Sequence, residues 1–320
     1  MKIVILDGHT ITQNDLNWDM LSQFGEVTAY DRTPYEEDET VKRIGEAELV
    51  MTSKVPITAS IMDRCPKMKY VGVTATGYNI VDVKAAAQRG VTVTNVPGYG
   101  TETVAEFVFA LLLHMTRQVS VCADSVQKGD WCKCEDFCYL PSQQMSLFGK
   151  TMGIVGFGQI GRKTAEIARA FGMKVIVYTR HPKKELETDG LSFAPLSEVL
   201  RQADVLSLHC PLTEDTKYMM NEEAFRQMKP TAYLINTSRG PLVEEQSLIK
   251  ALKEGWIKGA ALDVIEKEPM TEDCQLLGIP NCVIVPHVAW ATKESREILI
   301  RIIGENIKAY LAGNPVNVVS

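Results

Sequence analysis

The chain has 320 residues, 45% of them hydrophobic, enough to bury two cores of ordinary domain size. Its 34 Lys and Arg residues are outweighed by 40 Asp and Glu, a formal charge of -6, so it lacks the broad basic surface that nucleic-acid binding requires. Eight cysteines over this length are too dilute for a disulfide scaffold.

Residues 1–7 carry one cation and an apolar run too short for a signal-peptide core, and they read as a first strand. The most apolar helix-like stretch, 104–115, is broken by Glu106 and His114 and cannot span a bilayer. A soluble, cytoplasmic protein with no membrane partner is expected. Through the first hundred residues, strands are predicted at 2–7, 48–52, 69–73 and 91–95, with helices at 12–24, 37–44, 58–62 and 81–89 between them. This alternation describes a small open α/β unit.

From Thr101 the sequence becomes apolar nearly all round, which predicts a helix buried between domains or against a second subunit, capped by Thr101 or Thr103. Residues 128–148, rich in aromatics and cysteine, read as an irregular linker, and 120–148 as a candidate dimer arm. Cys132, Cys134 and Cys138 cluster within it, but neither their spacing nor a nearby histidine supplies a fourth zinc ligand, so no metal site is expected.

A larger α/β unit follows, with strands predicted at 151–155, 174–178, 205–208, 232–236, 259–263 and 283–285. Helices are predicted at 159–171, 196–201, 222–227, 244–254 and 292–311. Most of these strands are continuously apolar, as parallel strands covered on both faces must be. The last helix is placed to return to the first domain, and 316–320 reads as an edge strand. The expected division is a domain of residues 1–99 plus 291–320 and a dinucleotide-binding domain of residues 100–290.

The richest signal is Gly156-x-Gly158-x-x-Gly161, which follows an apolar strand and opens a helix. The first glycine permits the tight turn, the second admits a pyrophosphate to the backbone, and the third lets helix and strand pack closely. The amides of Gln159 and Ile160 are expected to face the phosphates at the helix start. At the end of the next strand Thr179 stands where an NAD-selective carboxylate is usual, and Arg180, His181, Lys183 and Lys184 follow. A guanidinium fork at Arg180 with a point charge from Lys183 suits a 2'-phosphate, so NADP is preferred over NAD as the cofactor. The plainer alternative is a solvated basic loop with Thr179 alone on the ribose.

Three further segments end predicted strands of the same domain and carry Arg239, Glu268 and His287. Open parallel sheets bind ligands at the carboxyl ends of their strands, so these three can converge. An arginine fork grips an α-keto acid's carboxylate, and a histidine steadied by a carboxylate exchanges a proton with the carbonyl oxygen. Taken singly, each residue has a structural explanation: a buried ion pair, an element terminator or a core histidine.

These ordered blocks resemble those of the D-isomer-specific 2-hydroxyacid dehydrogenases. The match includes Val73-Thr74-Ala75-Thr76-Gly77-Tyr78-Asn79, Asn95-Val96-Pro97-Gly98, the glycine fingerprint and Leu208-His209-Cys210-Pro211-Leu212. It continues through Asn236-Thr237-Ser238-Arg239-Gly240, Asp263 to Pro269 and Pro286-His287. The resemblance implies a Rossmann cofactor domain and a flavodoxin-like substrate domain, both doubly wound parallel sheets, and a homodimer. It implies catalytic roles for Arg239, Glu268 and His287, and substrate contacts from Thr74, Ala75, Thr76 and Gly77. Cofactor contacts are implied from Cys210, Pro211, Thr237 and Asp263, the last to the nicotinamide carboxamide. Trp290 either lines the substrate pocket or covers the core.

Within the family, 75–79 and 287–292 look most like the glycerate dehydrogenase or hydroxypyruvate reductase branch. The implied reaction reduces hydroxypyruvate to D-glycerate, or glyoxylate to glycolate, with NAD(P)H. Two alternatives stand beside it: a phosphoglycerate or other D-2-hydroxyacid dehydrogenase, and a non-catalytic NAD(H)-sensing binding protein.

Overall fold

The computed structural model describes all residues from Met1 to Ser320 and divides into two compact units, Met1–Gly100 with Ala291–Ser320, and Thr101–Trp290.

The first unit is a five-stranded sheet in the order β2-β1-β3-β4-β5, from β1 (Lys2–Ile5), β2 (Glu26–Ala29), β3 (Leu49–Thr52), β4 (Tyr70–Val73) and β5 (Thr92–Thr94). All its neighbours pair in parallel. Every residue of β3 and β4 is buried, which explains why these strands are apolar without alternation. The strand order reverses beside β1, so the carboxyl ends of β1, β3 and β4 form the usual ligand edge of a doubly wound sheet.

The second unit is a seven-stranded sheet in the order β12-β11-β10-β9-β6-β7-β8. Its strands are β6 (Thr151–Val155), β7 (Lys174–Tyr178), β8 (Leu191–Phe193), β9 (Val205–Leu208), β10 (Tyr233–Asn236), β11 (Gly259–Leu262) and β12 (Cys282–Ile284). This sheet too is parallel throughout. One face carries a core around Val199, Phe225 and Leu248, and the other a core around Val108, Leu112, Ile154 and Val177. The fold is therefore a Rossmann sheet and a flavodoxin-like sheet, as the sequence implies.

Several elements differ from expectation. The helix predicted over 12–24 is broken: a turn of helix spans His9–Thr12 and a 3-10 segment spans Asp19–Phe24. Gln13 and Asn14 adopt left-handed backbone angles, with φ of 46° and 65°, which stops the first segment. β2 and β8 were not anticipated, because edge strands as short as EVTA and LSF leave little pattern to read. Residues 316–320 form one antiparallel bridge, Thr94 to Val318, on the outer side of β5 rather than a full strand. Within 120–148 a regular helix, Val119–Gln127, precedes the irregular chain. The helix Thr101–Arg117 lays Val108, Phe109, Leu111, Leu112 and Met115 into the core of the second unit. No single helix is long and apolar enough to cross a membrane.

The final helix, Lys293–Leu311, is capped by Thr292, whose hydroxyl accepts from the Ser295 amide at 3.3 Å. Arg296 on this helix is nearly fully buried and donates to the carbonyls of Ile11 and Thr12 at 2.9 and 3.3 Å. It also forks onto the Asp15 carboxylate at 2.6 and 2.8 Å, holding that carboxyl below its ordinary range. One side chain thus supplies a donor to the Ile11 carbonyl and adds a third to the Thr12 carbonyl, which already accepts from the Asp15 and Leu16 amides. Arg296→Met is expected to lower the unfolding free energy of the first unit by about 2 kcal/mol in urea titrations, because it removes the donor to the Ile11 carbonyl and the bidentate partner of Asp15.

Candidate active site

The glycine turn joins β6 to the helix Gln159–Ala170. Gly156 has φ of 95°, and a β-carbon there would lie 2.6 Å from the Cys210 amide nitrogen, so both conformation and space demand glycine. At Gly161 a β-carbon would sit 2.2 Å from the Gly156 carbonyl oxygen, so this glycine sets how closely helix and turn approach. Gly158 differs: a β-carbon there meets nothing within 4 Å. The space above it is open, and Gly158 caps the helix without a side chain, which leaves the first-turn dipole to an external anion.

Cys210, after β9, packs against this turn, and Thr237 follows β10, the next strand beyond. Cys210 is buried, its carbonyl accepts from the Ser238 hydroxyl at 2.7 Å, and burial pushes its thiol up to about 11, so it offers backbone rather than a thiolate. The Thr237 hydroxyl is buried without a hydrogen-bond partner, an unmet polar group of the kind a bound ligand satisfies. Pro211 is exposed beside Cys210. These features fit a dinucleotide: an open phosphate cradle, a helix start with no capping side chain, and an orphaned hydroxyl at the end of β10, two strands along the same sheet edge.

Thr179 is half-buried at the end of β7, while Arg180 and Lys183 are exposed. Arg180 does not stand alone. Its Nη2 lies 2.6 Å from Oδ2 of Asp215 in the loop after β9.

The second cluster gathers at the carboxyl ends of β10, β11 and β12, which are neighbours in the sheet. Asn236, fully buried at the end of β10, folds the next turn: its side-chain nitrogen donates to the Arg239 carbonyl at 2.9 Å and its oxygen accepts from the Ser238 amide at 3.0 Å. Arg239 is half-buried, donates to the Ser238 carbonyl at 2.7 Å and enters no ion pair. Gly240 then allows close approach to the next loop, since a β-carbon there would lie 1.8 Å from the Ile265 carbonyl oxygen.

On that next loop, Glu268 accepts from the Ile265 amide at 3.2 Å and meets His287 Nδ1 at 2.7 Å. Nε2 of His287 is therefore the nitrogen left to face a substrate oxygen. His287 has φ of 56°, which is costly for a residue with a β-carbon. The cost is offset locally. Asp263 accepts from the Val288 amide at 2.7 Å and the Ala289 amide at 3.1 Å, and the Trp290 indole donates to the His287 carbonyl at 2.9 Å. Asp263 is almost fully buried, and that burial pushes its carboxyl upward. Its carboxylate thus holds the backbone after His287, a use additional to the nicotinamide contact that the family resemblance implies. Trp290 likewise has its indole nitrogen committed to shaping this turn.

Of the other histidines in this unit, His209 sits 2.9 Å from the Ser207 hydroxyl and is pushed down to about 4 by desolvation. It is neutral at physiological pH and unsuited to donate the reaction's proton.

In the first unit, the loop after β4 is pinned by its neighbours. Ala75 accepts from the Val96 amide at 3.0 Å, the Thr76 hydroxyl donates to the Val96 carbonyl at 2.9 Å, and Asn95 donates to the Thr76 carbonyl at 2.7 Å. The Thr74 hydroxyl is buried without a partner, and Gly77 is half-buried at the end of the loop.

The family described as "D-isomer specific 2-hydroxyacid dehydrogenase, NAD binding domain" matches residues 109–289. The chain is 43% identical over 321 residues to a hydroxypyruvate reductase of Blautia hydrogenotrophica, covering 100% of both proteins. The chain belongs to the D-isomer-specific 2-hydroxyacid dehydrogenase family. Among solved structures of this fold, a protein from Thermus thermophilus superposes with a TM-score of 0.88 at 35% identity, with 100% of both chains covered. An NADPH-dependent glyoxylate/hydroxypyruvate reductase from Sinorhizobium meliloti, solved with NADP and malonate, gives 0.84 at 30% identity over 100% of this chain and 96% of that one. The protein is accordingly an NAD(P)-dependent 2-hydroxyacid dehydrogenase.

Sequence reasoning missed Asn236, Asp215 and Tyr218. Asn236 offered a signal, because a buried Asn two residues before a serine amide is a common side-chain turn motif. Tyr218 offered none: it adopts φ of 53° and donates its hydroxyl to Glu266, two residues before Glu268, a contact between loops far apart in the chain.

Asp263→Ala is expected to lower kcat about a hundredfold through misplacement of His287, with the dissociation constant for NAD(P)H changed less than threefold. An equally large loss of cofactor affinity would return Asp263 to the carboxamide role.

Proposed function

We propose that this dehydrogenase reduces hydroxypyruvate or glyoxylate to D-glycerate or glycolate, with NADP preferred over NAD. The observation that carries the reading is a half-buried, ion-pair-free Arg239 on the strand end next to a His287–Glu268 pair at 2.7 Å. A structural arginine of this burial would normally face a carboxylate of the protein, so an unpaired guanidinium suits an anionic substrate. Bound NAD(P)H supplies the hydride that goes to C2 of the keto acid.

The chain's own groups handle everything else. Arg239 binds and orients the substrate carboxylate. His287 donates the proton from Nε2 to the carbonyl oxygen as the alcohol forms, and Glu268 holds Nδ1 so that the ring faces one way. In the oxidative direction the same nitrogen accepts the proton. In the first unit, the candidate substrate-contacting residues remain 74–77, a loop braced by the Thr76 hydroxyl, the Asn95 side chain and the Val96 amide.

Small 2-keto acids are favoured over 3-phosphohydroxypyruvate because no cluster of arginines flanks 74–77 to take its phosphate in addition to the carboxylate. NADP preference is supported by Thr179 in place of an acidic residue and by Arg180 and Lys183 after it.

A homodimer is supported by the exposed apolar surface of the helix Val119–Gln127 and the chain after it. Val119 is 68% exposed, Phe137 89%, Leu140 83% and Phe148 80%, far more apolar surface than a solvated segment carries without a partner.

Three measurements test these readings. A spectrophotometric panel of hydroxypyruvate, glyoxylate, pyruvate and phosphohydroxypyruvate with each reduced cofactor is expected to show the first two as the best substrates. Tight cofactor binding with no turnover on any of them would favour a sensor instead. His287→Ala is expected to reduce kcat by about a hundred- to ten-thousand-fold while cofactor affinity stays within threefold; retained turnover would move the proton donor elsewhere. The double substitution Phe137→Ser with Leu140→Ser is expected to shift sedimentation from dimer toward monomer at micromolar protein, and an unchanged dimer would place the interface on another surface.

A further inference from the structure

The loops that follow β7 and β9 flank the glycine turn, because β6 lies between these two strands in the sheet. Arg180 in the first loop and Asp215 in the second meet at 2.6 Å, so their ion pair straps the carboxyl end of β6 from one side to the other. Asp215 is held out for this contact by its own loop. The Thr216 hydroxyl donates to the Pro211 carbonyl at 2.7 Å and accepts from the Thr213 amide at 2.8 Å, and the Lys217 amide donates to the Thr213 carbonyl at 2.9 Å. The position is therefore built, although both charged side chains are mostly exposed, at 62% and 76%.

We propose that Asp215 is a cofactor-specificity residue, which competes with the 2'-phosphate of NADP for the Arg180 guanidinium and so limits the preference for NADP over NAD. The proposal deepens the NADP reading and rests on Arg180 as the phosphate-binding residue. Arg180 presents one fork. A phosphate with nearly two negative charges outcompetes a single carboxylate for it, but the displaced Asp215 stays on a fastened loop nearby and repels the newcomer. NAD carries no phosphate at this position, so it leaves the ion pair intact and incurs neither penalty. Lys183, exposed and outside any ion pair in the structure, remains available to either cofactor. The carboxylate that NAD-selective relatives of this fold carry at the end of the second strand is absent here, and an acidic residue from another loop restrains the arginine in its place.

The test uses the full-length enzyme and measures dissociation constants for NADPH and NADH by quenching of protein fluorescence. Four proteins are compared: the natural chain, Asp215→Asn, Arg180→Ala and the double variant. Asp215→Asn is expected to tighten NADPH by about three- to fivefold, with NADH changed less than twofold; at about 1.4 kcal/mol per tenfold this is the upper range of an exposed ion pair. Arg180→Ala is expected to weaken NADPH about tenfold or more with NADH nearly unaffected. In the double variant the gain from Asp215→Asn should fall to less than twofold, because the competition needs the guanidinium.

The outcomes separate the two ideas. If Arg180→Ala acts selectively on NADPH but Asp215→Asn weakens NADPH or changes both cofactors alike, competition by Asp215 is overturned while the NADP reading stands. A gain of equal size with and without Arg180 also overturns it, since Asp215 would then act only through general charge. If Arg180→Ala affects both cofactors equally, the phosphate-binding role of Arg180 fails and the proposal fails with it. Circular dichroism and thermal melting of each variant check that the Rossmann unit stays folded.

Discussion

The candidate active site depends on one buried carboxylate gripping two amides. Asp263, at the end of β11, takes the Val288 and Ala289 amides and so fixes the chain that has just left β12. This grip supports His287 at a positive φ, and that unusual backbone angle accompanies the meeting of Nδ1 with Glu268. Without the grip, the residue would relax toward ordinary angles and the ring would turn away. The burial of Asp263 carries a desolvation cost that pushes its carboxyl upward, and the backbone bonds offset part of it. A costly carboxylate on a strand end is intelligible because it holds geometry that side-chain packing alone would not.

The same economy of adjacent strand ends organises the arginine. β10, β11 and β12 are neighbours, so residues from 236 to 287 in sequence are placed side by side by hydrogen-bond register alone. Asn236 turns the chain within three residues, and Gly240 lets it come against the Ile265 carbonyl. The sheet supplies coarse placement to within a strand spacing, and small polar turns refine it.

Much of this was legible in the sequence because it is carried by local pattern. Continuously apolar runs gave β3, β4, β9 and β10 their parallel, doubly covered character, and Gly156, Gly158 and Gly161 marked the turn through their spacing after an apolar strand. Arg239, Glu268 and His287 could be singled out because each lies just past an apolar strand. What escaped was set by partners distant in sequence. β2 and β8 are edge strands of four and three residues whose pairing, not their composition, makes them strands. The break after Thr12 belongs with Arg296, some 284 residues away, whose guanidinium donates to the carbonyls there. Asp263 was recognised as a site residue, but the amides it holds follow β12, and no spacing rule links them.

The two arginines of the site show why residue type alone does not define an anion site. Arg239 is half-buried, braced through its own turn and unpaired with any acid, so an arriving carboxylate gains the full charge-assisted bond and relieves a poorly solvated cation. Arg180 is exposed and already paired, so an arriving phosphate gains only the difference between itself and Asp215, in water that screens both. On the proposed reading, the first arrangement recognises the carboxylate that every 2-keto acid substrate carries. The second yields a graded response, tunable by one neighbouring charge, to a group that only one of two cofactors carries.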